Sequence, residues 1–186
     1  FEARSRRVSG LKNPAAAIIK HTNPAGCAVA KTISEAYAKA LSTDPMSAFG
    51  GVVALNQKCD VKTAEQIVSS FKEVVVAPSY TENSLTILRT KKNLRILSVG
   101  ELNSPSVTLI EKPIIGGRLI QQRDLSSLSP NDLNIVTKIE PTPSQIETML
   151  FAWKVVKHVK SNAIVFATGT ETVGLGMGQV SRIDAV

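Results

Sequence analysis

The sequence predicts an α/β layer fold built on a largely parallel sheet. Two observations carry that expectation. Short apolar runs of strand length alternate with segments that open on a helix-capping residue. Pro or Gly then punctuates most of the junctions between them.

Taken in order, Ala15 to Lys20 is a short apolar run of buried-strand type. Asn23-Pro24-Ala25-Gly26 reads as a tight turn. Thr32-Ile33-Ser34-Glu35 has the capping-box pattern and opens a helix through Ala36 to Leu41, stopped by Asp44-Pro45. Gly50-Gly51 leads into a strand at Val52 to Leu55. Asp60 caps a helix through Ala64 to Phe71, and Val74 to Ala77 is a third strand, broken by Pro78. Thr81 caps a helix through Leu85 to Lys91, and Leu94 to Val99 is a fourth strand.

After Gly100 the texture changes. Asn103 to Ser106 is polar and turn-rich. Val107 to Gln121, interrupted at Pro113 and Gly116-Gly117, reads as extended or irregular, and Leu125 to Asp132 as a loop with a short helical turn. Thr142-Pro143-Ser144-Gln145 is a second capping box with Pro at the first helical position. Its helix reaches about His158 and carries an apolar stripe of Ile146, Met149, Leu150, Trp153 and Val156, read as its core face. Ala163 to Ala167 is a strand, Thr168 to Glu171 a turn, and Val173 to Leu175 the return arm of a hairpin.

The 186 residues are 43% hydrophobic and 20% charged, which suits one sizeable core or one lobe of something larger. No apolar run approaches membrane-spanning length and no signal-type core follows the basic start, so a cytoplasmic location and no membrane partner are expected. Cys27 and Cys59 are too few for a disulfide scaffold and lack metal-site spacing. The net charge of +7 is scattered, and aromatics are only 4%, so a nucleic-acid face is disfavoured. Solvated faces plus a site for anionic ligands account for the charge better. Phe1 is no initiator and the chain stops just after a glycine-rich segment, which reads as an excised or incomplete piece of a longer protein.

Lys20-His21, at the end of an apolar run, is the most informative pair. Histidine serves as base or acid near neutral pH, and an ammonium stabilises developing negative charge. The alternative is a strand-end pair whose tips reach solvent. Gly50-Gly51 allows close backbone approach to a ligand, although a simple turn explains it better. Gly174-Leu175-Gly176-Met177-Gly178 superficially matches a dinucleotide fingerprint but falls in or after the second arm of a hairpin, the wrong context. Arg182, just beyond it, suits a phosphate or carboxylate, or a surface ion pair. Zinc is disfavoured, because the deaminase signature needs His-x-Glu and a later Pro-Cys-x-x-Cys, and Asn23 stands two after His21. No G-x-S-x-G elbow supports a serine hydrolase.

Lys20-His21-Thr22-Asn23-Pro24-Ala25-Gly26 resembles the Lys-His-x-Asn-Pro-x-Gly motif of the AICAR transformylase domain, part of the bifunctional purine-biosynthesis enzymes that also carry IMP cyclohydrolase. Further blocks follow in the family's order: Thr43 to Gly51, Glu73 to Pro78, Leu150 to Lys154, Lys160 to Val165, and Gly174 to Arg182. The resemblance runs from about Asn13 to Ile183 and is closer to the bacterial type.

It implies a three-layer cytidine-deaminase-like α/β unit, a mixed sheet flanked by helices, without zinc. It implies formyl transfer from 10-formyltetrahydrofolate to the 5-amino group of AICAR, giving FAICAR, in a homodimer with sites at the subunit interface. Carried over by position, Lys20 and His21 are the catalytic pair: His21 helps deprotonate the amine, and Lys20 assists proton transfer and stabilises the oxyanion. Gly50, Glu73, Asn162 and Arg182 take AICAR-contacting positions and Ile183 a folate-contacting one. The family often has Asp where Glu73 stands, and Cys where Ala25 stands. Residues 1–12 read as a frayed or non-family N-terminus, 13–100 as the first α/β subdomain, 101–141 as an irregular connection, and 142–186 as a helix plus hairpin. The cyclohydrolase half and the second half of the transformylase domain are missing, so this chain alone is expected to be inactive. The competing readings are a noncatalytic binding or dimerisation lobe and a basic nucleic-acid module.

Overall fold

The computed structural model describes residues 13–101 and 109–186. The readings placed on residues 1–12, on Asn103 to Ser106 and on Val107 lie outside them. In chain order the elements are β1 (Ala15–Lys20), β2 (Asn23–Val29), α1 (Ile33–Thr43), β3 (Gly51–Leu55), α2 (Val61–Val68), β4 (Lys72–Ala77), α3 (Glu82–Arg89), β5 (Arg95–Ser98), β6 (Leu109–Ile114), β7 (Gly117–Gln122), α4 (Pro143–Val156), β8 (Ile164–Thr168) and β9 (Glu171–Gly176).

Seven strands form one sheet in the order β5-β4-β3-β1-β2-β9-β8, and β6 and β7 form a separate hairpin. The sheet is mixed rather than largely parallel. Only β3, β4 and β5 run parallel, joined through α2 and α3. The β1–β2 and β8–β9 pairs are hairpins, which forces antiparallel pairing, and β1–β3 and β2–β9 are antiparallel too.

Alternation along the strands splits the core between the two faces. Ala16, Ile18, Val53 and Val75 face one side, with Ile33, Tyr37, Ile67 and Leu88 from α1, α2 and α3. Ala17, Ile19, Val52 and Val74 face the other, where α4 supplies Phe151 and Val155. Cys59 and Cys27 are buried on opposite faces.

The caps read from the sequence form as hydrogen bonds. Thr32 accepts from the Glu35 N–H at 3.2 Å, Asp60 from Thr63 at 2.8 Å and Thr81 from Ser84 at 3.1 Å. Thr142 and Gln145 make the reciprocal capping box of α4.

Two further readings need correction. Asn23-Pro24-Ala25-Gly26 is not a turn but the start of β2. The register slips between Ile18, paired with Gly26, and Ile19, paired with Pro24, so Ala25 is the extra residue of a bulge. A bulge tolerates Pro24, which has no N–H for the ladder. The stripe on α4 is not its core face either. Phe151 and Val155 are buried, whereas Met149 is 49% and Trp153 55% exposed. The helix is apolar on more than one side, and the side toward Met149 and Trp153 borders a hollow of about 880 Å³ with Ile135 and Ile139.

Two stability predictions follow from this packing. A Cβ on Gly26 would overlap the Ala40 carbonyl oxygen and come within 2.9 Å of its carbon, so α1 packs directly on the β2 backbone. Gly26→Ala is expected to cost about 2 kcal/mol in urea denaturation. An unchanged midpoint would show that α1 shifts without penalty. The Tyr37 hydroxyl is buried with no hydrogen-bond partner among the described residues. Tyr37→Phe is therefore expected to stabilise the fold by about 1 kcal/mol, and a loss of stability would reveal an acceptor.

Candidate active site

Lys20 ends β1 and pairs in register with Asn23, leaving His21 and Thr22 as a two-residue loop. Both have positive φ, 48° and 70°, so the hairpin closes through a left-handed turn of the kind usually built from Asn and Gly. A β-branched Thr in that region is strained by about 1–3 kcal/mol. The turn holds the His21 ring out at the surface, where it has no hydrogen-bond partner among the described residues.

The Lys20 ammonium is oriented by backbone. It donates to the carbonyls of Phe49 at 2.9 Å and Gly50 at 3.3 Å, which leaves one of its three N–H groups for a ligand. Gly50 has φ +64°, and a Cβ there would stand 2.9 Å from Lys20 Nζ. Its N–H donates to the Phe71 carbonyl at 2.9 Å, so the start of β4 fixes the loop that fixes Lys20. The Phe49 and Phe71 rings pack at 5.4 Å on the same link.

Lys20 and His21 open onto a cleft of about 370 Å³ lined also by Pro24, Asp44, Ser47, Leu175 and Met177. Asp44 follows α1 and accepts from the Ser47 N–H at 2.9 Å. Hydrogen bonds from Ser47, side chain first and backbone second, hold its carboxyl below the usual carboxylate range. The cleft thus sets an ammonium and an imidazole opposite a carboxylate that stays ionised. Its far wall is the end of β9: the glycine-rich segment lines this cleft from within a hairpin arm.

The remaining positions lie at the same end of the sheet as the cleft. That end carries the C-terminus of β1, the N-termini of β2, β3, β4 and β8, and the C-terminus of β9. Glu73 is exposed on β4. Asn162 precedes β8, and its amide donates to the carbonyls of Gln179 at 3.0 Å and Val180 at 3.3 Å, stapling the loop that leads to Arg182. Arg182 is exposed and has no carboxylate within ion-pair distance among the described residues, so the ion-pair reading of it finds no support there. Ile183, 82% exposed, begins a short 3-10 turn through Ala185. Gly50, Glu73, Asn162, Arg182 and Ile183 rim the end of the sheet without lining the cleft itself.

Sequence reasoning missed Asp44, Ser47 and Met177 as neighbours of Lys20. The only local signal was Asp44 three residues before Ser47, a spacing suited to a side-chain turn. It also missed Asn23 as a fastener: its Oδ1 accepts from the Lys160 N–H at 3.0 Å and ties the turn to the loop before β8.

A family model described as the AICARFT/IMPCHase bienzyme matches residues 2–186. The bifunctional purine biosynthesis protein PurH of Thermoanaerobacter sp. strain X514 is 52% identical over 173 residues, 93% of this chain and 34% of the relative. That of Sinorhizobium medicae is 50% identical over 175 residues, 94% of this chain and 33% of the relative. That of Agrobacterium fabrum is 48% identical over 173 residues, 92% and 32%. The chain spans about a third of the length of these relatives. With residues 2–186 matched by the family model and half of the aligned positions identical, the chain belongs to the AICARFT/IMPCHase bienzyme family.

Proposed function

We propose that this chain is the first lobe of an AICAR transformylase domain and supplies Lys20 and His21 to formyl transfer. The observation that carries this reading is the Lys20 ammonium, aimed by two carbonyls at the mouth of a cleft beside a histidine held on a strained turn. The amine of AICAR attacks the formyl carbon of 10-formyltetrahydrofolate, and His21 takes up the amine proton. Lys20 donates to the oxygen that becomes negative in the tetrahedral intermediate. The bond from the formyl carbon to N10 then breaks, N10 receives a proton, and FAICAR and tetrahydrofolate leave. Both substrates are anionic, which suits the exposed Arg182 and the net charge of +7. The reading places the reaction in purine biosynthesis, in the cytoplasm, and requires no zinc.

The test is a full-length family member into which residues 13–186 are grafted. FAICAR formation supports the proposal, and a folded graft that forms none overturns it. The 186-residue chain alone leaves its cleft open to water and is expected to form no FAICAR.

One observation favours a dimerisation role beside catalysis. The β6–β7 hairpin exposes Leu109, Ile114, Leu119 and Ile120 and lies outside the main sheet. Two-stranded hairpins are marginal alone. We therefore assign it to an interface with a second copy, consistent with sites formed between subunits. Sedimentation at twice the 19.9 kDa chain mass supports this, and a monomer at all concentrations overturns it.

A further inference from the structure

A second cleft, sharing no lining residue with the first, lies where α2 and α3 end. It has a volume of about 280 Å³ and is lined by Lys72, Lys91 and Lys92 with Ser70 and Asn93. Lys72, the first residue of β4, is only 3% exposed. Its ammonium donates to the Ser70 hydroxyl and, at 3.5 Å, to the Phe71 carbonyl. That leaves one N–H with no protein acceptor among the described residues. No carboxylate lies within ion-pair distance of Lys72, Lys91 or Lys92 among them either.

A buried ammonium without a counter-charge is costly, and proteins rarely retain one. Burial lowers Lys72 from the ordinary lysine range. With the folded value below the unfolded one, the unfolded chain holds more proton between the two values, so stability rises with pH across that interval. In its charged form Lys72 is therefore a cost that a bound anion would offset. The helix ends facing the cleft are C-terminal, with caps at Ser69 and Thr90. Their partial charge, about −0.5 each, opposes an anion, but three ammonium groups outweigh it. The volume is at the low end for ligand pockets, which suits a small ion rather than a nucleotide.

We propose that this cleft binds a small phosphate-class anion, held by Lys72 at its floor and by Lys91 and Lys92 at its rim. The source is either an inorganic phosphate or the phosphate of a small metabolite, and two probes separate them. The 186-residue chain is titrated with inorganic pyrophosphate and, separately, with ribose 5-phosphate, while backbone amides are followed by two-dimensional NMR. Saturable shifts at Ser69 to Lys72 and Lys91 to Leu94 are expected from at least one probe, and the stronger probe identifies the source. Lys72→Met is expected to abolish them. Should that variant fail to fold, the exposed pair Lys91→Met and Lys92→Met is expected to weaken binding about 10-fold, two lost charge contacts of roughly 0.7 kcal/mol each. Lys31→Met, on another surface, leaves it unchanged. Shifts that are absent, that sodium chloride at equal ionic strength reproduces, or that survive the lysine substitutions overturn the proposal.

Discussion

Lys20→Met in a full-length setting is expected to lower the rate of FAICAR formation about 1,000-fold, the range seen when a proton-transfer group or an oxyanion donor is removed. Met keeps the length and apolar stem of Lys and removes only the ammonium. That ammonium bonds to two carbonyls at the half-buried end of a central strand, so the fold should lose no more than about 1 kcal/mol. A loss of rate with unchanged thermal stability is the expected pattern, and it falls on kcat because the oxyanion exists only after attack. His21→Ala is the companion, since it removes the proposed base and leaves Lys20 in place. Formyl transfer unchanged in Lys20→Met would reject the catalytic assignment and leave the dimerisation lobe as the better reading.

What the sequence revealed and what it hid have physical reasons. The caps at Thr32, Asp60, Thr81 and Thr142 were legible because capping is chemistry within three residues. β2 was not, because Pro24 and Gly26 are turn-type residues placed in a strand by a bulge, while the turn itself is made by His21 and Thr22. That displacement also hid the antiparallel character of the sheet's centre. On α4, helical spacing showed that Met149 and Trp153 share a side, but not which apolar side meets the sheet; Phe151 and Val155 have the same spacing and do. At the site, Lys20 and His21 were legible as neighbours in sequence. Asp44, Leu175 and Met177 reach them only through the strand order β1-β2-β9 and the packing of α1 on β2, which no local pattern encodes.

The same strand order predicts a second large effect, at a residue that carries no functional group. Gly176 ends β9, and a Cβ there would overlap the Ala185 carbonyl oxygen and stand 2.6 Å from its carbon. Ala185 is buried, and the turn it closes carries Ile183 and follows Arg182. Backbone cannot yield as a side-chain tip would, so Gly176→Ala must push that turn off the sheet. The strand itself should survive, because Gly176 is its last residue and its partner Ile164 is the first of β8. We expect far-UV circular dichroism to be unchanged and trypsin to cleave after Arg182 faster. In a full-length setting KM for AICAR should rise about 10- to 100-fold, the equivalent of one or two lost charge-assisted hydrogen bonds. Gly174→Ala is the control for the turn: its Cβ would meet only the Phe166 side chain, at 3.3 Å, so it should not move the protease site. Equally faster cleavage after Arg182 in both substitutions would mean that β9 as a whole, rather than the contact with Ala185, sets the position of Arg182.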